Sequence, residues 1–112
     1  MGESAAAGRP LQVVTTTDSR EDADRLARLA VEARLAACAQ VVGPIASTYR
    51  WRGSVETAEE WMVVMKTGAG RAAALTERLQ AEHRYEQPEI VATEIVGGSP
   101  GYLAWVEEET RP

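Results

Sequence analysis

The chain has 112 residues, a formal net charge of −5, one cysteine and one histidine. That length supports one domain able to bury roughly 60–70% of its unfolded surface, and a lone cysteine excludes an internal disulfide. The acidic balance argues against nonspecific nucleic-acid binding, which needs a basic face to displace counterions, and no apolar run approaches the ~18 residues of a membrane span.

The opening "MGESAAAGRP" is small and polar, so residues 1–10 are expected to be a flexible segment ahead of a single domain over residues 11–112. It lacks a basic stretch followed by an apolar one, which points to a cytoplasmic protein without a secretory signal. "LQVVTTT", Leu11 to Thr17, is short and β-branched and predicts a first strand. Ser19 with Asp22 three residues on resembles a capping box. Leu26, Leu29, Ala30 and Ala33 then recur at helical spacing, predicting a helix over about residues 20–36. Gly53 lies between two strand-like runs, which predicts a hairpin turning near Arg52-Gly53-Ser54. Tyr49 and Trp51 share a face of its first arm, and Trp61, Val63 and Met65 a face of the second. Gly43-Pro44 should interrupt the first arm as a bulge or edge irregularity. A second helix carries Ala72, Leu75 and Leu79 inward and stops before Pro88. Glu89 to Val96 alternates apolar and polar as a fourth strand, and "GGSPGYLAWVEEE" ends in a short helix with Pro100 in its first turn.

The order β-α-β-β-α-β-α is the α+β, ferredoxin-like split βαβ arrangement, one antiparallel sheet with two helices on a face and one added. Hairpin arms of about 12 residues would span roughly 40 Å, more than a helix pair of this size covers. The distal half carries Tyr49, Trp51 and Trp61, and an exposed aromatic patch of that kind marks an association surface. A homo-oligomer is expected; the competing arrangement folds the terminal helix over the patch.

With those residues placed, the chain resembles the CutA family of divalent-cation tolerance proteins. "YRWRGSVE" matches its hairpin tip, "EHRYEQPEI" its His-Pro-Tyr-x-x-Pro-Glu segment and "GYLAWV" its Tyr-Leu-x-Trp helix, from about Leu11 to Glu108. The resemblance implies a tight homotrimer with hairpins of neighbouring subunits paired edge to edge. It also implies an intersubunit ligand cleft built from Lys66, His83, Tyr85, Glu89, Tyr102 and Trp105. Arg84 stands where the family usually has Pro, so the turn that aims His83 is expected to be less rigid.

His83 invites a metal reading, with Glu82, Glu86 or Glu89 as oxygen donors and Cys38 as a soft ligand for copper. The plain alternative is a helix-end imidazole and a small buried thiol. A closed zinc site takes four protein ligands and a catalytic one three, which one His and one Cys within a chain do not supply. Lys66, the only lysine, is either an edge charge against further strand pairing or the anchor for a small anion. No phosphate loop, dinucleotide fingerprint, Gly-x-Ser-x-Gly or His-Glu-x-x-His is present, so no enzyme and no required cofactor is expected. The leading expectation is divalent-ion tolerance with weak binding of copper or another divalent cation. A trimeric regulator similar to PII proteins, binding an anion in the cleft, is the alternative, and a trimeric scaffold for partner proteins is the third.

Overall fold

A computed structural model describes residues 8–112; of the segment expected to precede the domain, residues 1–7 lie outside the described residues. The elements are β1 (Leu11–Thr17), α1 (Arg20–Glu32), β2 (Cys38–Trp51), β3 (Ser54–Thr67), α2 (Ala72–Glu82), β4 (Ile90–Glu94) and α3 (Pro100–Glu109). The strands form one antiparallel sheet in the order β2-β3-β1-β4. This is the ferredoxin-like arrangement expected from the order of elements.

The two faces of the sheet differ in what covers them. Val13, Val63 and Met65 point to one side and are fully buried with Ala23, Leu26 and Ala30 of α1 and Leu75 and Leu79 of α2. Trp61 shares that parity and packs on the same core. The paired residues of opposite parity, Val14, Val42, Met62, Val64 and Val91, lie on the open face. There α3 covers only the end near Thr67, held by Gly68 N–H on Thr110 Oγ1 (3.1 Å) and Ala69 N–H on Glu107 Oε2 (3.2 Å). The terminal helix therefore leaves the distal hairpin uncovered.

Both hairpin arms run 14 residues, and the described chain measures 49 Å along its longest axis. The tip is a two-residue turn, Arg52 at φ 49° and Gly53 at φ 84° between paired Trp51 and Ser54, the geometry that follows strand twist and favours glycine. The predicted irregularity at Gly43-Pro44 is a register shift between Val42 and Ile45. Gly43 lies against the Trp61 indole, where an added Cβ would sit 2.5 Å from Cδ1.

Two boundaries differ from the periodicity. The first helix ends at Glu32, not near residue 36, because Arg34 takes a left-handed φ of 59°. Leu35 N–H returns to Ala30 O and Arg34 N–H to Val31 O, the paired bonds of a Schellman cap, with Leu35 buried. No glycine marks that cap, so spacing alone carried the helix through it. The fourth strand covers Ile90–Glu94 rather than Glu89–Val96, since it pairs along β1 only from Thr15 to Leu11. One more bond, Ile95 N–H to Pro10 O, follows, and Pro10 has no N–H to continue the ladder.

Replacing Arg34 with glycine relieves the left-handed strain, and its side chain contributes only an exposed bond to Glu108 O at 3.3 Å. Arg34→Gly should raise stability by about 1 kcal/mol, read as a higher denaturant midpoint at fixed protein concentration. A lower midpoint would show that the Glu108 contact outweighs the backbone strain.

Candidate functional site

The residues singled out by the sequence fall into two groups at opposite ends of the open face. Near α3, Cys38 and Lys66 are directly paired across β2 and β3. Lys66 Nζ donates to Gln40 Oε1 at 3.2 Å, and the Cys38 thiol and Tyr102 hydroxyl share a hydrogen bond at 3.2 Å. Tyr102 stacks at a tilt on Trp105, ring centroids 5.5 Å apart. The hydrogen bond to Cys38, together with burial, pushes the Tyr102 hydroxyl up to about 12.

The second group surrounds the end of β1. His83 caps α2 with extended backbone rather than extending its last turn. Its Nε2 lies 2.9 Å from Thr16 O, and its Nδ1 accepts from Tyr85 N–H at 3.1 Å. A carbonyl only accepts and an amide N–H only donates, so the imidazole is the neutral form with its proton on Nε2. Both ring nitrogens are thereby engaged within the chain. Tyr85 O–H donates to Glu60 Oε2 at 2.6 Å. Burial first, then that bond and the Glu60 charge, hold the Tyr85 hydroxyl well above the ordinary phenol range. Glu89 enters through its backbone, its carbonyl accepting from Thr15 Oγ1 at 2.6 Å.

Lys66 pairs with Gln12 and Met62 with Thr16, four residues further along the sheet and about 13 Å away at strand spacing. His83 and Cys38 are therefore not brought together in one chain, and neither are the six residues of the expected cleft. Among the described residues no three of His, Cys, Asp and Glu gather as a metal-holding group. Within the chain Lys66, paired with Gln12, also stands away from Glu89, whose carbonyl lies at Thr15.

Sequence reasoning passed over two carboxylates. Asp22 belongs to the expected cap, and Ser19 does accept its N–H at 3.0 Å. Its side chain, however, is fully buried and receives Thr17 Oγ1 at 2.8 Å, Arg25 Nε at 2.8 Å and Arg84 Nε at 3.4 Å. Arg25 also donates to Glu82 O at 2.8 Å, so Asp22 ties both ends of the His83 turn to α1. Arg84, where the resemblance led to an expectation of a looser turn, is one of these ties. Glu60 is the other. It faces the open side and lines a pocket of ≈ 520 Å³ between the distal hairpin and residues 85–89, with Thr16, Tyr49, Trp51 and Glu89. Its signal in the sequence was a carboxylate on the same parity as Met62 and Val64.

The profile of the CutA1 divalent ion tolerance protein family matches residues 11–109. The chain belongs to the CutA1 family. A divalent-cation tolerance protein CutA of Thermus thermophilus is 42% identical over 98 residues, covering 88% of this chain and 95% of that protein. The chloroplastic CutA of Arabidopsis thaliana is 38% identical over 111 residues, and the chain spans 99% of itself but 61% of that longer protein. The crystal structure of CutA from Xylella fastidiosa superposes with a TM-score of 0.89 at 35% identity, over 92% of this chain and 99% of that one. Among the described residues of this CutA1 chain, no helix is long and apolar enough to cross a membrane.

The Asp22 knot has a measurable pH signature. Burial alone would raise this carboxyl, but hydrogen bonds from Arg25 and Thr17 and the charges of Arg25 and Arg84 outweigh it and hold it below its ordinary 3.8. Its contribution is therefore complete above pH 4 and lost as pH falls through and below that value. Asp22→Asn should destabilise by on the order of 2–3 kcal/mol near pH 7, the half-exposed arginines regaining water. The gap from wild type should narrow steadily below pH 4 in denaturant melts. A gap independent of pH would mean that the carboxylate charge contributes nothing.

Proposed function

We propose that this CutA1 chain works as a homotrimer in tolerance of divalent cations, without a catalytic step and with only weak association of copper or another divalent ion. The observation that carries the reading is the uncovered half of the molecule. Tyr49 and Trp51 remain 44% and 41% exposed, and Val42 and Val91 about half exposed. They are continuous with the apolar strip of the open face. A surface of that composition is stable in water when a second copy covers it. The outer edge of β2 and the distal edge of β3, unpaired among the described residues, suit edge pairing between neighbours. Trp61, also expected on the interface, is partly buried and packs against the core within the chain.

Assembly would also bring the Lys66–Tyr102–Trp105 end of one copy toward the His83–Tyr85–Glu89 end of another, making one cleft from two half-sites. A tight centre on His83 and Cys38 is disfavoured, because each imidazole nitrogen would first have to give up its hydrogen bond. A second reading rests on Lys66, which pairs across the sheet with Cys38, the hydrogen-bond partner of Tyr102, and among the described residues bonds only a neutral amide. A PII-like cleft for a small anion would use that uncompensated charge.

Light scattering should give a mass about three times the 12.1 kDa of one chain, and Trp51→Asp should shift it toward monomer by removing aromatic surface from the patch that a neighbour would cover. A monomeric wild type would end the reading. Calorimetric titration of Cu(II) and Zn(II) should show weak heats little changed by His83→Ala or Cys38→Ala. Micromolar, saturable binding abolished by His83→Ala would instead make His83 a true ligand.

A further inference from the structure

We propose that the pocket between the distal hairpin and residues 85–89 holds an organic cation, an ammonium or guanidinium group, with Glu60 as its counter-ion. Two side-chain carboxylates are buried among the described residues, Asp22 and Glu60. Asp22 has two arginines on it. Glu60, only 8% exposed, has none within ion-pair distance among the described residues, and its one hydrogen bond comes from the neutral Tyr85 hydroxyl. A buried carboxylate without a counter-charge is strongly unfavourable, and Glu60 opens onto a space of ≈ 520 Å³ rather than onto packed protein.

The walls of that space fix the class of cation. Tyr49, Trp51 and Tyr85 contribute aromatic surface, and Glu86 and Glu89 add acidic positions. Flat aromatic faces attract ammonium and guanidinium groups within about 6 Å through the ring quadrupole. A bare Mg²⁺ or Ca²⁺ asks instead for several converging oxygens, and although Thr16, Ser47, Thr48 and Gln87 also line the space, no three of His, Cys, Asp and Glu gather as a metal-holding group among the described residues. The rim already shows the preferred chemistry. Arg52 of the same chain places its guanidinium 5.2 Å from the Trp51 ring centre and its Nη2 3.3 Å from Glu86 Oε1. Arg52 occupies the outer side, and Glu60 at the base is left without such a partner.

The cation has two possible sources, a free amine or guanidine and a lysine or arginine side chain of a neighbouring copy. Methylguanidinium chloride and butylammonium chloride, titrated calorimetrically into wild type and Glu60→Gln at constant ionic strength, separate them. Glutamine still accepts the Tyr85 bond and removes only the charge. A free ligand gives saturable binding in wild type, at least about ten-fold weaker in Glu60→Gln, while the ligand-free variant melts at or above wild type. A seated neighbouring side chain gives no heat with either probe, and Glu60→Gln then melts lower and dissociates at about ten-fold higher protein concentration by light scattering. Either pattern supports the assignment. Binding equal in both proteins overturns it, as does magnesium chloride binding as tightly as the amines. Absence of heat with an unchanged melt and assembly in Glu60→Gln overturns it too.

Discussion

A mismatch of lengths governs this molecule. Helices of 13 and 11 residues reach about 20 Å and 17 Å at 1.5 Å per residue, while hairpin arms of 14 residues reach about 46 Å. The two helices can cover only the part of the sheet where β1 pairs with β3, from Thr17 and Trp61 to Leu11 and Thr67. Beyond Trp61 the hairpin continues alone, with Tyr49, Trp51 and Val55 facing solvent. Covering that extension needs another chain or a ligand, because the third helix is committed to the opposite end through Thr110 and Glu107.

The same geometry explains why two buried acids behave so differently. Asp22 lies at the start of α1, where Arg25 one turn on and Arg84 from the turn after α2 both reach it. It is a closed knot that neutralises its own charge and holds the His83 turn in place. Glu60 lies just past the last residue of β3 that β1 covers, beneath Tyr85. No helix passes over that position, and none of the described residues supplies a cation there. Rigid anchoring and chemical incompleteness are thus adjacent, which suits a site that holds its shape before a ligand or a neighbour arrives.

Membership of the CutA1 family places the fold and the order of motifs beyond the single chain. The particular residues here give that framework a local character. Thr15, Thr16 and Thr17 end the first strand; Thr16 offers a carbonyl to His83, and Thr17 a hydroxyl to Asp22. Arg84 turns a bend into an ion-paired corner. The imidazole links the α2 end to β1 through both ring nitrogens, while Glu60 and Lys66, at the two ends of the open face, have no ion-pair partner among the described residues.

The order of elements, the bulge at Gly43-Pro44, the hairpin tip and the apolar parity of Trp61, Val63 and Met65 were legible in the sequence. Each depends on local periodicity or on a residue with a restricted backbone. The end of α1 was not, because Arg34 enters the left-handed region without glycine to announce it; burial of Leu35 under the sheet decides that cap. The site was legible as a list of residues but not as a geometry. His83 could be named, yet its tautomer follows from Thr16 and Tyr85, which meet it only after α2 has packed beside β1. Glu60 sits in a run of acids in the sequence, and only the tertiary fold, by laying Tyr85 across it, buries its carboxyl. Sequence by itself determined which faces exist, since side-chain period is a property of the backbone; the tertiary structure decided which of them are filled, since burial and charge compensation depend on neighbours distant along the chain.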